Sequence, residues 1–146
     1  MLVRSANLSD VPAIHGLIVE LAVYERAPNA VINTVESLQN DLFIEHRCAA
    51  IIAEDQNQIV GFALYFFGYS TWKGKTLYLE DLYVKEANRV KGIGQALFNA
   101  VLEVAKKENV RRMDWQVLEW NQPAIEFYKK NNAVLDGEWV NGRLYF

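Results

Sequence analysis

Apolar positions along the chain fall into two rhythms. One repeats every three or four residues, and the other is a set of short, nearly continuous runs. "LVR" at the start is a short strand. A helix follows to about Arg26, capped by Asn7 or Ser9, with Val11, Ile14, Ile18, Leu21 and Ala22 on one face. Pro28 breaks it, and Thr34 caps a second helix that runs to about Glu45. The runs "CAAIIAE" and "QIVGFALYFFGY", joined by "DQNQ", predict a hairpin, and "TLYLEDLYV" predicts a further strand after the turn "STWKGK". Ile93, Leu97, Ala100, Val101, Val104 and Ala105 line one face of a helix from about Gly92 to Glu108. "RRMDWQVL" is then a strand, and Asn121 caps a helix with Pro123 in its first turn, where the missing N–H costs little. Asn141–Gly142 is a favoured hairpin turn between two closing strands. The predicted order is β-α-α-β-β-β-α-β-α-β-β, a single α/β domain over residues 1–146.

Between the third of these long strands and its helix stands "NRVKGIG". A helix amino terminus carries unsatisfied N–H groups and a partial positive charge, so it attracts anions. Gly92 and Gly94 would let a phosphate approach the backbone, and Arg89 and Lys91 add charge that suits a diphosphate. The alternative is a plain tight turn with solvated cations. A dinucleotide fingerprint would need a third glycine where Leu97 stands, and no Gly-Lys-Ser/Thr of a P-loop follows.

Charge and composition narrow the field. A net charge of −3 argues against a broad grip on nucleic acid. Two histidines and one cysteine make a zinc site improbable, so no metal is expected. Cys48 in "CAAIIA" reads as a buried thiol in a reducing compartment. With no signal-like stretch in "MLVRSANLSD" and no run of membrane-spanning length, the expectation is a cytoplasmic protein that does not enter membranes.

Arg-x-x-Gly-x-Gly after a long strand and opening a helix resembles the acetyl-CoA signature of the GNAT N-acetyltransferases. "NQPAIEFYKKNNA" resembles the family's Asn-x-x-Ala-x-x-Phe-Tyr segment. With "ELAVYE", "IVGFALYFF" and "YSTWKGKTLYLEDLYV", the chain is similar to the spermidine/spermine (diamine) and thialysine N-acetyltransferase subgroup. The resemblance implies a GNAT fold: a mixed, mostly antiparallel sheet, splayed between strands 4 and 5 and flanked by helices. It implies acetyl-CoA as co-substrate, a small amine acceptor and a homodimer.

The implied roles can be stated residue by residue. Val90, Lys91, Gly92, Ile93, Gly94 and Gln95, with Arg89, would hold the CoA pyrophosphate. Leu82, Tyr83 and Val84 would pair with pantetheine, whose amides mimic an added strand. Asn121, Pro123, Ala124 and Tyr128 would line the cofactor, and Tyr128 would protonate the departing thiolate. Glu80 would bind the ammonium and ease its deprotonation, while Asp81, on the opposite face by strand alternation, would be structural and paired with a base across the sheet. Tyr24, Glu25, Asp114, Trp115 and Gln116 would contact the amine, and either Asp136 or Glu138 would add a late carboxylate. Asn132 stands where the family commonly has a glycine leaving the helix with positive φ. Three rival readings remain: a protein or peptide amine as acceptor, a CoA-binding regulatory module without transfer, and, weakest, nucleic-acid binding.

Overall fold

A computed structural model describes residues 1–146. It divides into two compact units, Met1–Trp115 and Gln116–Phe146. The larger unit holds β1 (Leu2–Ser5), α1 (Val11–Tyr24), α2 (Val35–Phe43), β2 (Ala49–Asp55), β3 (Gln58–Ser70), β4 (Gly74–Val84), α3 (Ile93–Lys107) and β5 (Arg112–Asp114). Its sheet runs in the order β1-β2-β3-β4-β5, antiparallel except for the parallel pair β4–β5.

Both faces of this sheet are buried. Ala50, Ile52, Phe62 and Leu64 pack with Val11, Ile14 and Leu17 of α1 and Leu38 and Leu42 of α2. The alternate residues face α3, and packing there is so tight that a Cβ on Gly61 would lie 3.1 Å from Leu97 of α3 and 2.9 Å from the Tyr83 carbonyl oxygen of the neighbouring strand β4. Phe62, Ile14, Leu17, Ile52, Leu77, Leu79, Ile93 and Leu97 are among the side chains removed from water altogether. Each such residue contributes roughly 1.5–3 kcal/mol.

Local chemistry sets the element ends. Asn7 caps a single turn of 3-10 helix over Leu8–Asp10 that leads into α1, and in return the Asp10 carboxylate accepts from the Asn7 N–H at 2.8 Å. The same buried carboxylate takes a two-pronged bond from Arg4 of β1, at 2.7 and 3.1 Å, which pins the start of α1 to the sheet. Thr34 Oγ1 accepts from Ser37 N at the head of α2. In the β2–β3 turn, Gln56 and Asn57 both have positive φ (50° and 61°), the twist that suits a two-residue hairpin.

The smaller unit holds α4 (Gln122–Lys130). Asn121 Oδ1 accepts from Ala124 N, with Pro123 in the first turn as expected. The helix ends with Asn132 at φ 62°, Asn132 N bonded to Lys129 O and Ala133 N to Tyr128 O. That is the left-handed exit a glycine often makes.

Two sequence expectations need correction. The strand expected over "RRMDWQVL" is only Arg112–Asp114, since it meets β4 at just three positions, Thr76, Leu77 and Tyr78, and the backbone beyond has no partner strand. The two closing strands around Asn141–Gly142 do not form, and residues 134–146 have no regular structure. Alternating apolar residues and a favourable turn do not suffice, because a lone two-stranded hairpin is marginal without a further strand or a face to cover. Trp139, Val140, Leu144 and Tyr145 accordingly stay exposed.

Candidate active site

Pairing of β4 with β5 stops at Tyr78 and Asp114, yet β4 continues for six residues to Val84. On that side its last stretch is an open edge, which is the expected splay. Lys85 N donates to Val60 O of β3. Backbone groups alternate along a strand, so the N–H and C=O of Leu82 and Val84 point away from β3 to the open edge, while those of Tyr83 point into the sheet. Of Leu82, Tyr83 and Val84, two therefore present backbone groups to the open edge, and the Val84 carbonyl is engaged there by Arg89.

Just before the open edge β4 carries an irregularity. Leu64 of β3 lies opposite Asp81 and Tyr65 opposite Leu79, so Glu80 has no counterpart across the ladder. This is a β-bulge, a device that re-aims side chains and is enriched near active sites. It cancels the simple alternation expected for Glu80 and Asp81. Asp81 shares the sheet face of Leu64, on the side of α1 and α2, and Glu80 is exposed. The end of α1 brings Glu25 to the same place.

The three carboxylates act on one another. Burial, then the charges of Glu80 and Glu25, push the Asp81 carboxyl up to about 7. Burial and Glu80 raise Glu25 as well. No ion pair forms on Asp81, contrary to the structural pairing expected for it. Nor do the three form a group able to hold a metal ion. A cluster of like charge without a cation suits an incoming ammonium group.

Next along the chain is the glycine loop. Gly92 is the amino-terminal cap of α3 at φ 77°, and having no side chain it leaves the first turn uncapped. Val90, fully exposed, has φ 60°, an outlier for a β-branched residue. Strain of this sort gathers where the backbone is shaped for a ligand. Lys91 is exposed. Arg89 does not point into solvent. Its Nε donates to the open-edge carbonyl of Val84 at 3.0 Å, and its guanidinium lies over the rings of Tyr24 (4.8 Å) and Tyr83 (5.5 Å). Tyr83 is buried and bonds Glu20 through its hydroxyl, and burial followed by the Glu20 charge raises its pKa.

The other residues expected to meet substrate or cofactor have partners of their own. The Asp114 carboxylate is held by Arg112 at 2.8 Å, and Trp115 packs edge-on against Phe98 of α3. In the smaller unit Gln116 donates to Asn141, and Asp136 accepts from the Glu138 N–H. Tyr128 is buried there, with its ring edge-on to Phe127. The structure thus groups Tyr24, Glu25, Glu80, the open edge and the Arg89–Gly94 loop within one unit. It adds Asp81, whose only sequence signal was its place beside Glu80.

Residues 13–133 match the Acetyltransferase (GNAT) family. The chain belongs to that family. It is 40% identical over 142 residues to a thialysine N-epsilon-acetyltransferase of Bos taurus, spanning 91% of this chain and 84% of that one. It is 35% identical over 140 residues to a human spermidine/spermine N(1)-acetyltransferase-like protein 1, covering 90% of this chain but 20% of the relative. Among solved structures, an aminoglycoside acetyltransferase from a soil metagenome superposes with a TM-score of 0.82 over 99% of this chain and 95% of the other; at 20% identity that likeness speaks for the fold alone. The GNAT member described here is thus an N-acetyltransferase within the diamine and thialysine subgroup, from a family that uses acetyl-CoA. No helix in it is long and apolar enough to cross a membrane.

Proposed function

We propose that this enzyme moves an acetyl group from acetyl-CoA to a primary amine of a small cationic substrate: a polyamine, a diamine, or a thialysine- or lysine-like amino acid. The observation that carries this reading is the adjacency of two features on β4. A carboxylate cluster, Glu25, Glu80 and Asp81, sits immediately before an open strand edge at Leu82 and Val84. Amide-bearing pantetheine suits the edge, and an alkylammonium suits the acids.

In this mechanism the loop from Arg89 to Gln95 binds the diphosphate, with backbone N–H groups and the charges of Arg89 and Lys91. Pantetheine runs along Leu82 and Val84. The ammonium docks on the carboxylates and gives a proton to Glu80, through water, which frees the nitrogen lone pair. That nitrogen bonds the thioester carbonyl carbon, and a main-chain N–H at the splay holds the oxyanion. When the carbon–sulfur bond breaks, the sulfur takes the electron pair and a proton from Tyr128, while the second proton of the attacking nitrogen leaves to water and a solvent proton restores the phenol. Products are the acetamide and free CoA. Support for Tyr128 comes from its place in "NQPAIEFY" and from the fitness of a phenol, with a reference pKa of about 10, to protonate a thiolate. Asn121, Pro123 and Ala124 belong to the same segment and line the cofactor. We further infer a cytoplasmic homodimer, by likeness to the subgroup.

CoA release from acetyl-CoA tests the reading, using polyamines, thialysine, lysine and short peptides as acceptors. One class of small amine should turn over, and Tyr128→Phe should cut the rate by about a hundredfold or more while still binding CoA. Acetyl-CoA binding with every amine inert would replace this reading with a CoA-binding regulatory role. Preference for peptides would move the acceptor class, and undiminished turnover in Tyr128→Phe would remove the proton donor.

A further inference from the structure

Arg89 links two places that the reaction needs together. Its Nε–H is engaged by Val84 O, and its flat face rests over Tyr24, the last residue of α1. Glu25, a member of the carboxylate cluster, follows at once. No carboxylate pairs with the guanidinium. Glu20 of α1 is turned to Tyr83 and Lys85, at 3.3 and 4.0 Å, and the Tyr83 hydroxyl also feels a hydrogen bond from the Arg89 fork. A guanidinium has five donors in a rigid fork, so Nε and the ring face can be occupied while the terminal nitrogens still meet an anion.

We propose that Arg89 is a positioning residue that ties the end of α1 to the acetyl-donor site: diphosphate on its terminal nitrogens fixes its face on Tyr24 and so holds Glu25 in place for the amine. This rests on the reading of the loop as the diphosphate site. The logic is one of linkage. A ligand that orders Arg89 also orders what is stacked on it, and the α1 end, once ordered, returns the same factor to ligand affinity. A stacked guanidinium–ring contact is strong enough to carry a several-fold effect.

The experiment uses free CoA, which cannot donate acetyl, and the full-length chain. CoA affinity is measured by calorimetry for wild type, Tyr24→Leu, Tyr24→Phe, Arg89→Ala and the Tyr24→Leu/Arg89→Ala pair, and amide exchange is followed over residues 21–27 with and without CoA. Tyr24→Leu should weaken CoA about three- to tenfold, Tyr24→Phe should stay within about twofold, and Tyr24→Leu should add nothing in the Arg89→Ala background. CoA should slow exchange over 21–27 in wild type and in Tyr24→Phe, but not in Tyr24→Leu. Equal CoA affinity in Tyr24→Leu and wild type, additive losses in the double variant, or exchange unmoved by CoA would each overturn the proposal. Failure of wild type to bind CoA would instead overturn the reading of the loop, and with it this inference.

Discussion

Two aspartates on the α1 side of the sheet meet opposite fates. Asp10 is buried, but it has the two-pronged Arg4 bond and the Asn7 N–H, and Arg4 above all holds its carboxyl below the ordinary range. Asp81 is half-buried, and every charge acting on it is another carboxylate. The first arrangement spends charge on architecture, because it locks α1 to β1. The second leaves charge unsatisfied, which folding alone does not reward. Unmatched charge that persists beside an open strand edge is better explained by a cationic partner than by stability.

Three substitutions would break or sharpen that contrast. The largest effect belongs to the unmatched cluster: Glu80→Gln should lower kcat/KM for the amine about a hundredfold, with CoA affinity retained, as read by steady-state kinetics and calorimetry. A loss confined to KM would make Glu80 a binder and not a proton acceptor. The matched site comes next. Asp10→Asn should cost about 2 kcal/mol in urea unfolding, the scale of hydrogen bonds to a charged group, and leave turnover per folded molecule unchanged.

The smallest effect, and the one of opposite sign, is Asp81→Asn. Its folded pKa of about 7 lies above the unfolded value, so the folded wild type holds the extra proton between about pH 4 and 7. Stability therefore falls as pH rises through that window. At pH 8 the amide should raise Tm by roughly 1–3 °C after allowance for screening, and near pH 4 the gain should vanish. Asp10 works the other way: its carboxyl is depressed, so its contribution is present above about pH 4 and lost as pH falls through its folded value. Thermal melts across pH would separate the two. A Tm for Asp81→Asn below that of wild type at pH 8 would mean the carboxylate has a stabilising partner after all.

What could be read from the chain beforehand follows the range of the interaction. Helix periods and caps are local, and Thr34, Asn121 and the Gly92 start stand where the sequence puts them. The left-handed exit at Asn132 is local too. Features that depend on a partner strand were not legible. The bulge at Glu80 exists only against the register of β3, the brevity of β5 only against β4, and the strand pattern of residues 138–146 met no edge. For the same reason the site was half legible. The glycine spacing marked the loop and the family resemblance marked Glu80, Tyr24 and Glu25 as candidates, but the entry of Asp81 into the cluster and the turn of Arg89 onto Tyr24 need three dimensions.

The open end of β4 has a consequence for handling the protein. Unpaired strand backbone is a template for another chain, and proteins blunt it with charge or cover it. Here Glu80 and Asp81 stand at the head of that edge and Arg89 closes its last carbonyl. The charges proposed to serve acetyl transfer therefore also guard this edge against stray strand pairing, and CoA in the buffer is expected to keep charge-neutralised variants from aggregating through it.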